Sequence, residues 1–351
     1  MTDRPQHAPL AQFPVVDDEL IIGGSPISVL AEKVGRTPFY VYDRQALSNR
    51  VSHLREALPD SLSIHYAIKA NPMQAVVDHM ASLVDGFDIA SSGELRTALD
   101  SGMSAQQISF AGPGKRPDEL RDAIAAGVTI NIESDRELTR VLAIGEQLAI
   151  QPRVAVRVNP DFELKSSGMK MGGGAKPFGI DAEQVPGILK RIAGSSANFR
   201  GLHIYSGSQN LSAESLIEAQ QATIGLALRL AEYAPEPMAT LNIGGGFGVP
   251  YFPGEKHLDL APIGQFLAAQ IDDLKTRLGD TEIIIELGRY LVAEAGAYVC
   301  SVIDKKISRG RVYLIADGGL HHHLAASGNF GQVIRKNYPV VIGTRIARGE
   351  R

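Results

Sequence analysis

The sequence predicts an α/β protein, a closed (β/α)₈ TIM barrel with a smaller β domain formed from both termini. Three observations carry this reading. Eight short β-rich runs recur along the chain, segments with helical spacing of apolar residues lie between them, and the two ends break that rhythm. The length agrees, because 351 residues hold a barrel of about 250 residues with a companion domain.

In chain order, an N-terminal segment, 1–43, carries strand-like runs at 20–22 and 39–42. The barrel is expected over 44–296, with β-rich runs at 63–70, 86–90, 108–111, 129–133, 153–159, 200–205, 240–243 and 282–286. Helical spacing fills 75–84, 120–126, 138–148 and 216–233. Start signals agree with these helices: Pro117 stands where a first turn begins, and Ser134 with Glu137 has the spacing of a capping box. Eight parallel strands are the number that closes a barrel, and a doubly wound open sheet is the alternative. Further β runs at 298–303, 312–316 and 339–342 place a β domain over 297–351.

Composition narrows the function classes. Apolar residues make up 44% and charged residues 21%, ordinary for a globular chain. A net charge of −4 offers no broad basic surface, so no nucleic-acid partner is expected. No apolar run approaches the roughly 18 residues of a membrane span, and the first twenty residues, with Asp17, Asp18 and Glu19, lack a signal-peptide layout. A cytoplasmic protein without a membrane partner is the expectation. The single cysteine, Cys300, excludes a disulfide framework within one chain. Three adjacent residues cannot all face one ion from a regular strand, so His321, His322 and His323 read as a surface loop and no metal is expected.

In a (β/α)₈ barrel the loops after the strands open onto one face, so polar residues at strand ends are the candidates for chemistry. Lys69 closes an apolar strand in Tyr66-Ala67-Ile68-Lys69-Ala70-Asn71-Pro72, where desolvation lowers an ammonium's pKa and frees the amine for a Schiff base. A lysine so placed is more often solvated or ion-paired. Gly244, Gly245, Gly246 and Gly248 follow a strand, where glycines let backbone N–H groups approach a phosphate, and a flexible turn reads equally well. Glu286 and Arg289 end the eighth run; the arginine can pair bidentately with a phosphate and the glutamate can reach a ring nitrogen, or the two can form a salt bridge.

Together, 66–72, 88–95, 203–209, 244–248 and 286–296 resemble, in order, the motifs of the alanine-racemase-fold (fold type III) decarboxylases that use pyridoxal 5'-phosphate (PLP), among them the diaminopimelate, ornithine and arginine-type enzymes. The resemblance runs from about residue 20 to the end. It implies decarboxylation at the α carbon of an amino acid, with PLP as cofactor and a homodimer. By that likeness Lys69 is the Schiff-base lysine. Ser208 and Gly244 to Gly246 with Arg289 hold the phosphate, and Glu286 bonds the ring nitrogen. Asp88 and Arg157 line the pocket, and Asp317 in Ala316-Asp317-Gly318-Gly319 resembles a substrate-facing aspartate.

Three departures qualify the likeness. The family stacks a histidine on the cofactor three residues before the serine of its Gly-Ser pair; here Tyr205 holds that register, His203 lies two residues earlier on the same strand face, and either ring can stack. The family's Arg-Pro after the aspartate motif is replaced by three histidines and Ala325-Ala326. With 167–174 and 176–179, this resembles a branch that includes exosortase- and exopolysaccharide-associated decarboxylases and some acting on carrier-protein-bound amino acids. Lastly, the family's Cys-x-Ser-x-Asp element, which enters the partner's site, is expected beyond Arg351, which leaves the β domain incomplete. A PLP-binding protein without turnover and a racemase of the same fold are the alternatives. Racemases of this fold place an arginine at the ring nitrogen, where this chain has Glu286.

Overall fold

The computed structural model describes residues 10–162, 169–170, 172–323 and 338–346. Eight strands alternate with helices: β1 (Leu62–Ala67), β2 (Gly86–Ile89), β3 (Ile108–Phe110), β4 (Thr129–Ile132), β5 (Arg153–Asn159), β6 (Asn198–Ile204), β7 (Thr240–Gly245) and β8 (Glu282–Leu287). All neighbours pair in parallel, β8 beside β1, and β4 pairs with β5 to close the ring. The expected (β/α)₈ barrel is present, and the open sheet is excluded by that closing pair.

Strand alternation explains why the barrel holds a site. Ile64 and Tyr66 of β1, Val154, Val156 and Val158 of β5, and Ile283 and Ile285 of β8 are buried on one face. The alternate positions here and in the other strands carry His65, Asp88, Ser109, Asn131, Arg157, His203 and Glu286, with the apolar Ala155 and Ile284 among them. Register aligns these across strands, His65 with Glu286, Asp88 with Ser109, and His203 with Arg157. A period of two sends one set to the helices and the other to the barrel axis. Most barrels fill that axis with branched apolar residues; here it is largely polar.

The helices form where expected, with corrections at their ends. Helix Pro117–Ala126 starts on Pro117, and Ser134 caps helix Asp135–Leu148 by accepting the Glu137 N–H at 3.1 Å. Glu137 does not close the box on Ser134; it accepts the N–H of Glu133 at 2.7 Å instead.

The chain divides into two compact units, one of residues 48–249 and 258–292 holding the barrel, the other of 1–47, 250–257 and 293–351. In the second, Phe39–Tyr42 pairs antiparallel with Gly296–Val299, so strands from both ends of the chain do share a sheet. A small core of Phe13, Leu20, Ile22 and Ile27 sits beside it. The run expected at 298–303 breaks at Cys300, since Val302–Ser308 is a separate strand hairpinned with Arg311–Ala316. Residues 339–342 are not a strand. His321 and His322 are exposed in a turn on Gly319. Ala325-Ala326 and most of 163–171 fall outside the described residues. Among the described residues no helix is long and apolar enough to cross a membrane, and no cluster of metal-binding side chains occurs.

Candidate active site

β1 ends at Ala67, and Lys69 stands on the 3₁₀ turn Ile68–Ala70 that follows. This corrects the expectation of a lysine at the end of a strand running to residue 70. The Asn71 N–H returns to the Ile68 carbonyl, and the Tyr66 hydroxyl donates to the Asn71 carbonyl at 2.9 Å, so the backbone bearing Lys69 is held from below. The expected desolvation is not met: the lysine side chain is 55% exposed. Its ammonium instead faces Glu286, with Nζ 3.5 Å from Oε1.

Glu286, 4% exposed, is the centre of the buried charge. His203 Nε2 lies 3.1 Å from its second oxygen. Burial alone would raise this carboxyl, but Lys69 and His203 outweigh it and hold Glu286 well below the usual carboxylate range. Asp88 behaves oppositely. Burial first, then the charge on Glu286, pushes it well above that range, against a hydrogen bond from Ser109 and the attraction of Lys69 and Arg157. Two carboxylates at one site thus separate into a charged and a neutral form. Burial also lowers His203, with Glu286 opposing, and takes His65, 3.7 Å from Asp88, down to about 4. His65 was missed in the sequence; its signal was a polar residue in phase with the inward face of an otherwise apolar strand.

The glycine run has a steric reason. Gly244 and Gly246 have φ of 72° and 81°. A Cβ on Gly246 would stand 2.5 Å from the Gly207 carbonyl oxygen, and one on Gly245 only 2.2 Å from that of Glu286. These approaches seat the turn after β7 against the segment carrying Ser208. Asn210 N–H donates to the Gly246 carbonyl at 3.0 Å and Gly248 N–H to the Asn210 carbonyl at 2.8 Å. Arg289 opens the short helix Arg289–Val292 directly after β8. Ser208, Gly244 to Gly246 and Arg289 therefore belong to three successive loops on one end of the barrel.

Tyr205, half-buried, extends the same strand face as His203, their ring centroids 6.5 Å apart. Loss of solvation, then Glu286, raises its phenol. Arg157 pairs with Glu133 at 2.9 Å. Asp317 belongs to the other unit, where it accepts hydrogen bonds from the Thr37 hydroxyl and, at 2.9 Å, the Ser301 N–H. The structure thus brings Lys69, Asp88, Arg157, His203, Tyr205, Ser208, the glycines, Glu286 and Arg289 into one barrel unit, and leaves Asp317 in the second.

A lysine, a buried anionic glutamate and a glycine turn stand together at the strand ends, the face on which (β/α)₈ enzymes carry their active sites. Comparison with known proteins takes this further. The family described as "Pyridoxal-dependent decarboxylase, pyridoxal binding domain" matches residues 44–293. The chain is 38% identical over 311 residues to L-glutamyl-[BtrI acyl-carrier protein] decarboxylase of Niallia circulans, covering 87% of this chain and 72% of that one. It is 34% identical to diaminopimelate decarboxylase of Aquifex aeolicus, covering 87% and 71%. Among solved structures, diaminopimelate decarboxylase from Helicobacter pylori complexed with L-lysine superposes with a TM-score of 0.76 at 30% identity, covering 86% and 75%. The chain belongs to the PLP-dependent decarboxylases: it is a carboxy-lyase, and its cofactor is PLP. The residues present fit that group. An accessible amine stands beside an anionic carboxylate, Asp88 Oδ2 and His203 Nδ1 are buried without a hydrogen-bond partner among the described residues, and the glycine turn is stapled to the Ser208 segment.

Proposed function

We propose that this chain removes CO₂ from the α carbon of an aminoacyl group carried on an acyl-carrier protein, and that Lys69 and Glu286 are its principal catalytic residues. The observation behind the residue assignment is the Lys69–Glu286–His203 arrangement: one accessible amine 3.5 Å from a buried carboxylate that it helps keep ionised, with a buried histidine 3.1 Å from the other oxygen. Lys69 supplies the amine that bonds the cofactor's aldehyde. Glu286 holds a proton on the ring nitrogen, and His203 orients Glu286. The bound cofactor supplies the electron sink that stabilises the carbanion left by CO₂.

Asp88, neutral beside the charged Glu286, and Arg157 line the pocket. Tyr205 covers the ring, since His203 is 2% exposed and already engaged with Glu286. Ser208, the N–H groups of Gly244 to Gly246, and Arg289 hold the phosphate. The carrier-bound substrate rests on the 38% identity to the glutamyl-carrier decarboxylase, above the 34% to the Aquifex diaminopimelate enzyme, and on the absent Arg-Pro.

The same reading includes a cytoplasmic location, a division at residues 43 and 296, and a homodimer. The hairpin Val302–Ser308/Arg311–Ala316 supports the dimer: Ile303 and Ile307 are 65% and 72% exposed, and an uncovered two-stranded ribbon is marginal in water.

The test is CO₂ release by the PLP-loaded protein from glutamyl-carrier thioester and from free diaminopimelate. Turnover of the thioester with little of the free diacid supports the proposal. The reverse preference overturns the carrier assignment, and release unaffected by Lys69→Ala overturns the residue assignment.

A further inference from the structure

The roles assigned above use Arg157 but leave the rest of its buried ionic cluster without one. Arg157, Glu133, Lys115 and Glu137 alternate in sign, and their side chains are only 7, 1, 1 and 2% exposed. Lys115 Nζ donates to Glu137 at 3.0 Å and to the carbonyls of Gly112 and Asn131 at 2.7 and 2.8 Å. Glu137 in turn accepts the Glu133 N–H. Glu133 spends one oxygen on Arg157 and the Gly112 N–H, and the other on the Gly179 N–H at 3.0 Å. The four charges cancel.

Four buried charges seldom stabilise a fold better than apolar side chains of the same size, so the arrangement asks for another reason. Position supplies one. Arg157 lies level with His203, which touches Glu286, and its charge bears on Asp88, Tyr205 and Glu286. One edge of its guanidinium is fixed by Glu133, and Phe178 covers it at 5.1 Å from the ring centroid. A planar fork clamped on one edge and one face has few orientations left, and among the described residues only its Nη1 meets an acceptor, which leaves the other N–H groups for a ligand.

We propose that Glu133 is a positioning residue: braced by Lys115 and Glu137, it aims Arg157 at an anionic oxygen of the bound cofactor or substrate. The inference rests on the PLP site described above. Glu133→Gln removes the charge that clamps Arg157 and keeps the size of the side chain. On the scale of second-sphere partners of a functional ligand, we expect on the order of a tenfold effect. Weaker PLP binding, followed by absorbance, places the oxygen on the cofactor; a raised KM with PLP affinity intact places it on the substrate. Glu133→Asp restores part of the loss. In an Arg157→Gln background Glu133→Gln adds nothing further, which a merely structural role would not produce.

Unchanged PLP affinity and KM in Glu133→Gln overturn the proposal, as does an undiminished effect in the Arg157→Gln background. Should Glu133→Gln fail to fold, the crystal structure of the PLP-loaded wild type decides. Arg157 must hold Glu133 while donating to a cofactor or substrate oxygen, and a guanidinium turned away from both overturns it. Borohydride trapping separates the two levels: PLP trapped on Lys69 with a normal Glu133→Gln variant sinks this inference alone, whereas no trapping on Lys69 sinks the site reading itself.

Discussion

Asp88 and Glu286 lie on the same polar axis, yet burial and neighbours push their carboxyls in opposite directions. In the proposed reaction such a split lets one group hold a proton while the other carries the charge a pyridinium needs. Glu286→Gln is expected to lower kcat by on the order of a hundredfold or more while leaving PLP bound, since a preorganised charge aimed at the developing transition state is the largest kind of term. Steady-state kinetics of the reconstituted variant checks it. His65 makes a stability prediction. Its pKa falls from 6.5 unfolded to about 4 folded, so the unfolded chain binds the extra proton below pH 6.5. The stability His65 contributes is present above pH 6.5 and is lost as pH falls towards 4, by roughly 3 kcal/mol at the acid end. Denaturant unfolding of wild type and His65→Gln should therefore converge as pH falls through that window; parallel curves would contradict it.

At the scale of elements, the turn after β7 shows how backbone packing brings the proposed phosphate cradle together. Gly246→Ala combines a φ of 81° with a Cβ 2.5 Å from a carbonyl oxygen. About 1–3 kcal/mol of destabilisation is expected, accompanied by weaker PLP binding. Thermal unfolding with and without PLP reads both, and a variant with wild-type Tm and affinity would show that the turn does not need glycine. The run of glycines was legible in the sequence, but its reason was not: the clashing atoms belong to Gly207 and Glu286, about 40 residues away on either side. The same limit hid the Lys115–Glu137 pair, 22 residues apart in chain and 3.0 Å in space. Lys69 was a candidate in the sequence whose setting was misread, because where a strand gives way to a 3₁₀ turn depends on hydrogen bonds such as Tyr66 to Asn71 that no local pattern encodes. The alternation that places His203 and Tyr205 on one strand face, by contrast, was legible, since a period of two is local.

For the whole molecule, the barrel and the antiparallel pairing of the chain's two ends followed from the rhythm of the sequence and where it breaks. The hairpin 302–316 raises a question of assembly, because its apolar side chains face outward on both strands. If a second copy covers it, Ile303→Lys with Ile307→Lys should shift the sedimentation coefficient from dimer to monomer while the barrel's PLP absorbance persists; a wild-type chain that sediments as a monomer would contradict the dimer. The claim on which everything else depends is a covalent one, that the Lys69 amine is the group that takes the cofactor. Borohydride reduction of the PLP-loaded protein followed by peptide mass mapping tests it most directly. The modified lysine should be Lys69, and its label should vanish in Lys69→Ala; a label on another lysine, or none in a folded protein saturated with PLP, would contradict the account.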